Sequence, residues 1–208
     1  MGEKPYLSIV SHYESCLDEH GDTHLGVDWP VAADVPVRHR VMLDVILERS
    51  SEVSVLDLGC GASGLYEYIL EHDLQIAYTG VDISPKFIEL SRSKFPGNTY
   101  HCLDILDDDV QLPVFDYVVM NGVFTEKLDL TFEAMLEYVL AVVTKAFAHA
   151  EIGIAFNVMS AHVDWERDDL FHLPFDRLAA ELTARFGRRF AFRSDYGLYE
   201  YTTYLYRS

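Results

Sequence analysis

Apolar runs of five to seven residues recur through the middle of the chain, at Val53–Leu58, Ile76–Val81, Thr99–Leu103, Phe115–Met120 and Ile152–Val158. They are rich in β-branched and aromatic residues and short enough to be strands. Around them the apolar period becomes helical, over Pro36 to about Arg49, Leu65–Glu71, Pro85–Lys94, Thr131–Ala148 and Phe175–Phe186. Ser84 before Pro85 is a helix start, the hydroxyl capping the first turn and proline fitting it. Strands alternating with helices predict an α/β fold, doubly wound, with a mostly parallel sheet and helices on both faces. The ending differs: Phe190–Asp195 and Tyr199–Arg207 flank a short connection, and Tyr199, Tyr201, Thr203 and Leu205 alternate with a second set of side chains. An antiparallel hairpin is expected to close the sheet there.

Residues 1–35 precede the first strand and behave differently. Tyr6, Ile9, Val10, Tyr13 and Leu17 fall at helical spacing, followed by His20, a Gly21-Asp22 turn signal, His24 and Trp29. This segment is expected to lie as a helical lid over a core of residues 36–208. With 208 residues, 50% of them hydrophobic, and no repeat or linker, one domain spanning 1–208 is expected.

Charge narrows the partners. Sixteen Lys plus Arg against 34 Asp plus Glu leave a net charge of −18, which repels nucleic-acid phosphates. No apolar run approaches the ~20 residues of a membrane span, and the first residues lack a signal peptide's basic start, so a cytoplasmic protein is expected. Cys16, Cys60 and Cys102 are odd in number and lack metal-ligand spacing, which fits reduced thiols. His20 and His24 flank a turn rather than a helical face, and no metal is assigned.

The chemistry concentrates where the first strand runs into Gly59, Gly61 and Gly64 and then a helix. Glycines at this turn let a ligand approach the backbone, and the helix start offers free N–H groups. Asp82, ending the next strand, is placed to accept from ribose hydroxyls. Asp57, two residues before Gly59, is unwelcome beside a pyrophosphate but suits an ammonium, which favours an amino-acid-bearing nucleoside over NAD.

Leu56-Asp57-Leu58-Gly59-Cys60-Gly61, Asp82 after Tyr78-Thr79-Gly80-Val81, Leu103-Asp104-Ile105 and the strand Phe115–Met120 resemble successive motifs of the class I S-adenosylmethionine (SAM)-dependent methyltransferases. The resemblance spans roughly residues 36 to 207 and implies that family's seven-stranded sheet, its last strand antiparallel. It implies that Gly59, Cys60 and Gly61 contact the methionine part of SAM, Asp82 the ribose and Ile83 the adenine face. Asp104 would accept from the adenine amino group beside Ile105, and Asn121 and Gly122, after the fourth strand, would line the sulfonium. Taken alone, Ile83 and Ile105 read equally as core, and Asp104 as the start of a solvated acidic run with Asp107, Asp108 and Asp109. Ser63 stands where the family often has a third glycine.

Arg38 falls on the apolar face of its predicted helix with Met42, Val45 and Ile46, and so needs a buried partner. That partner is either the carboxylate of SAM or an internal acid such as Asp57. The acceptor is expected beyond the strand ends, between residues 121–127, residues 159–166 and the N-terminal segment. Its candidate bases are His162, His24, His12 and His20, with Glu126 and Asp164 behind them, and Asn121 is a candidate to position it. The expected activity is methyl transfer from SAM to an oxygen or nitrogen of a small metabolite, such as a sugar or biosynthetic intermediate, by a monomer or homodimer. A SAM-binding regulatory domain and an NAD-type oxidoreductase are the rivals.

Overall fold

A computed structural model describes residues 4–47 and 52–207. Its elements in chain order are α1 (Leu7–His20), α2 (Val35–Leu43), β1 (Val53–Leu58), α3 (Gly64–Glu71), β2 (Ile76–Asp82), α4 (Pro85–Lys94), β3 (Thr99–Cys102) and β4 (Phe115–Met120). There follow α5 (Phe132–Ala148), β5 (Ala150–Ser160), β6 (His172–Leu173), α6 (Phe175–Phe186), β7 (Phe190–Arg193) and β8 (Glu200–Tyr206). Seven strands run in the order β3-β2-β1-β4-β5-β8-β7, and β6 adds a two-residue parallel pairing at the end of β5. The pairs β3·β2, β2·β1, β1·β4 and β4·β5 are parallel; β8 runs antiparallel to β5 and to β7.

Alternation along the strands feeds two cores. Leu56 and Leu58 of β1 join a cluster with α5 and α6, whereas Val53 and Val55 face α2 and α3. In β4, Val118 and Met120 point to the first core, Tyr117 and Val119 to the second. Phe115 departs from this alternation and joins the first core, because the β4–β5 register shifts between Phe115 and Tyr117.

Two boundaries differ from the sequence expectation. Helix α2 stops at Leu43 although Val45 and Ile46 continue its apolar period, and the expected end at Arg49 lies outside the described residues. The hydroxyls of Tyr204 and Tyr206 donate to the carbonyls of Val41 and Val45, and the Tyr117 hydroxyl accepts from Leu47 N–H. Side chains from the sheet thus take over backbone groups that further helical turns would engage. Strand β5 is longer than its apolar core because Phe115 of β4 pairs with Ala150 at its start and β6 pairs with Met159 and Ser160 at its end.

Candidate active site

Strand order reverses between β1 and β4, so the segments leaving their C-terminal ends diverge and open a crevice. Residues 59–64 after β1, Asp82 at the end of β2 and residues 121–123 after β4 meet around a cavity of about 270 Å³. Its geometry begins at Gly59, whose φ is +80° and where an added Cβ would stand 2.5 Å from Val123. Ser63, at the start of α3, also takes a left-handed conformation, φ 61°, costing about 1–2 kcal/mol without glycine. Its buried hydroxyl, bonded to Ser91 and Tyr100 at 2.8 and 3.0 Å, offsets that strain. A serine therefore holds the turn where the family often has glycine.

Asp82 fastens the turn and the next helix together: one carboxylate oxygen accepts from Gly61 N–H and the other from Ser84 N–H, each at 2.9 Å. Both oxygens keep lone pairs toward the cavity they line. Asp57 is buried at 2% exposure and accepts from the Tyr78 hydroxyl at 2.9 Å. Burial pushes its carboxyl up to about 7, against the pull of that hydrogen bond. Asn121 lines the same cavity, and neither its Oδ1 nor its Nδ2 finds a partner among the described residues. A nearly dry amide without partners beside two carboxylates suits a ligand rich in donors and acceptors. Cys60, Gly61, Ile83 and Gly122 line it too.

Four side chains that the sequence reading did not place here complete the walls. Tyr6 and Tyr13 come from the N-terminal segment, Tyr138 from α5 and His39 from α2. Tyr6 stacks on Tyr138 with centroids 4.6 Å apart. His39 is buried, and desolvation, helped by neighbouring Arg38, lowers its ring to about 4, so it is neutral. The aromatic helical spacing of α1 was the available signal for Tyr6 and Tyr13; nothing local marked His39.

Several assignments need correction. Asp104 accepts from Lys4 and Tyr6 at one oxygen, both at 2.6 Å, and from Leu106 N–H at the other. It is thus the anchor of the N-terminal segment, and neither it nor the buried core residue Ile105 lines the cofactor cavity. Arg38 donates through Nε to Glu200 at 3.0 Å, 162 residues away, so the internal acid is its partner, and that acid is not Asp57. His162 is exposed, stacks on Phe175 and lines neither cavity of the crevice. His12 also lies outside the cavities, paired with Asp28 at 2.8 Å. Cys16 approaches this pair, its Sγ 3.8 Å from His12 Nε2. His24 lines the first cavity, and its Nδ1 donates to the Trp29 carbonyl at 2.6 Å. His20 lies beside Glu19, outside the cavities.

Beyond Trp29 lies a second cavity, about 510 Å³. Thr125 and Glu126, Met159 with Val163 to Trp165, and Asp28 to Val31 with Asp34 contribute to it, from the three segments expected to enclose an acceptor. Trp29 lines both cavities and divides them. Its position is fixed by a closed circuit. Gly122 N–H donates to Asn157 Oδ1, Asn157 Nδ2 donates to Glu200, Glu200 accepts from Arg38, and the Arg38 guanidinium covers Trp29 at 5.1 Å.

Residues 56–146 match the family model described as a methyltransferase domain. A Mycobacterium tuberculosis protein named "Putative methyltransferase Rv1506c" is 28% identical over 162 residues, 76% of this chain and 95% of its own. Among solved structures, magnesium protoporphyrin IX methyltransferase from Synechocystis with bound SAM superposes with a TM-score of 0.66 at 16% identity, covering 100% of this chain and 99% of that one. The 1,6-didemethyltoxoflavin-N1-methyltransferase of Burkholderia thailandensis, bound to its substrate and S-adenosylhomocysteine (SAH), gives 0.65 at 15% identity, covering 100% and 92%. Strand order, glycine turn and matched sequence agree: the chain has the fold of the class I SAM-dependent methyltransferases and is similar to them in sequence across the cofactor-binding half of that fold.

Proposed function

We propose that the chain transfers a methyl group from SAM to an oxygen or nitrogen of a small molecule held in the second cavity. The observation that carries this reading is the pair of cavities at the strand ends, one walled by the glycine turn, Asp57, Asp82 and Asn121, the other beyond Trp29. When bound, SAM supplies a methyl carbon activated by a positive sulfur, which leaves with the bonding pair as an acceptor's lone pair arrives. The chain's own part is alignment and exclusion of water. Asp82 would hold the ribose and Asp57 the ammonium, while the Asn121 amide satisfies its exposed dipoles on the ligand. Trp29 keeps the two partners on separate sides until the reacting atoms meet. Helix α1 and its approach, through Tyr6, Ile9 and Tyr13, act as a lid on the cofactor side, and residues 28–34 close the acceptor side.

Calorimetry with SAH tests the cofactor half. Tight binding is expected, with loss of about tenfold or more in Asp82→Ala, because hydrogen bonds to a charged partner contribute about 1.5–3 kcal/mol. Undiminished binding in that variant would overturn the ribose assignment. Transfer of labelled methyl to a metabolite panel tests the activity and separates oxygen from nitrogen acceptors. No helix among the described residues is long and apolar enough to cross a membrane.

A further inference from the structure

Glu126 follows β4 and bridges backbone to backbone with Leu170. It is 6% exposed, lines the second cavity, and its carboxylate has no hydrogen bond or ion pair among the described residues. A carboxylate so placed is costly unless a ligand meets it. The groups facing it are mostly of its own sign or already engaged. Asp28 and Asp169 repel it, Arg167 is committed to Asp169 at 2.5 Å, and His12 to Asp28. The His172 ring, on β6, is bound at Nδ1 by the Ser160 carbonyl and at Nε2 by Arg167 N–H, an arrangement only the neutral ring can make.

The rest of the lining points the same way. Five carboxylates and two arginines border the cavity, and Arg38, the second arginine, is matched by Glu200. Trp29, Trp165 and Tyr199 add aromatic faces. Unbalanced negative charge beside aromatic rings is the setting that holds an ammonium, and Arg38 over Trp29 shows that one of these rings already takes a cation.

We propose that the acceptor is an amine, which enters the second cavity as an ammonium, and that Glu126 both holds it and removes its proton. The proposal rests on reading the second cavity as the acceptor site. Carboxylate and ammonium become carboxylic acid and neutral amine. The freed nitrogen lone pair then forms the bond to the methyl carbon as the carbon–sulfur bond breaks. The product leaves as an N-methylammonium, and Glu126 returns its proton to solvent. Burial, reinforced by Asp28 and Asp169, lifts this carboxyl to about 7, where it is a better base than an ordinary glutamate. An alcohol, far less acidic than an ammonium, gains little from such a base.

The test is binding, independent of turnover. Protein saturated with SAH is titrated with phenethylamine and, separately, with 2-phenylethanol across the neutral pH range. The amine is expected to bind at least about tenfold tighter, the scale of a charge-assisted hydrogen bond. Its affinity should rise as pH climbs through about 7, as Glu126 ionises. In Glu126→Gln both the preference and the pH dependence should vanish, and in Glu126→Asp they should partly return, with melting curves confirming that each variant is folded. Equal binding of the two probes, no binding of the amine, or a preference that survives Glu126→Gln overturns the proposal. Failure of SAH to bind in the same samples would instead bring down the methyltransferase reading beneath it.

Discussion

The indole of Trp29 lies against the bare α-carbon of Gly122, where an added Cβ would stand 3.1 Å from Nε1. Gly122 also has φ +80°, so alanine there meets both backbone strain and the ring. Gly122→Ala is expected to destabilise the fold by about 1–2 kcal/mol and to displace the wall between the cavities. Urea unfolding reads the first effect. The chain has two tryptophans, so fluorescence in a Trp165→Phe background reads the second through Trp29 alone. An unshifted Trp29 spectrum with normal stability would show that the contact is slack.

Arg38 and Glu200 are 13% and 3% exposed at their side chains. Removing the cation leaves Glu200 buried with only the Asn157 amide on its other oxygen. Arg38→Leu should therefore cost about 3 kcal/mol or more, with SAH affinity changed far less than stability. Denaturation and calorimetry on the same variant separate the two readouts. Glu200→Gln in the Arg38→Leu background should recover part of the loss, since it removes the stranded charge. A variant of normal stability that loses SAH would return Arg38 to the cofactor.

Asp57 makes stability depend on pH in an unusual direction for a carboxylate. Its folded value, about 7, lies above the ordinary 3.8, so between the two the folded chain holds a proton that the unfolded chain has lost. Stability from this group is complete below 3.8 and drains away as pH rises toward 7. Relative to wild type, Asp57→Asn should become steadily more stable over that window and level off above it, as measured by urea unfolding at a series of pH values. The same variant should bind SAH more weakly, because the amide cannot offer charge to an ammonium. A stability difference that stays flat with pH would place the proton elsewhere.

How much of this was legible beforehand depended on how far apart the interacting residues sit in the chain. Val53–Leu58, Phe115–Met120 and Pro85–Lys94 were readable to the residue because period, capping and turn chemistry all lie within the segment. The glycine turn between Val53–Leu58 and the helix that follows it was readable for the same reason. Arg38 was rightly placed as needing a buried partner, but Glu200 sits at the first residue of β8, and no local pattern ties the two together. Asp104 read as a cofactor contact because Lys4 and Tyr6, which occupy it, arrive from the far end of the chain. Glu126 ranked only behind the histidines as a base, because an acid in a loop is ordinary until Leu170 and Asp28 close around it.

The fastening of the N-terminal segment has a consequence for rates. Lys4 to Asp104 and Asp107, Lys86 to Asp18, and Lys94 to Asp22 tie it down through ion pairs, three of the four with a solvent-facing carboxylate, and Glu14 accepts from Ser84 between them. Such pairs are individually weak and screened by salt. A ligand beneath them leaves only as often as they release together, so its residence time belongs to the strap more than to the contacts below. Stopped-flow displacement of SAH is expected to quicken as ionic strength rises, and to lose that sensitivity when residues 1–30 are removed. In a methyltransferase whose spent cofactor is slow to depart, the salt content of the surroundings would set the pace of turnover.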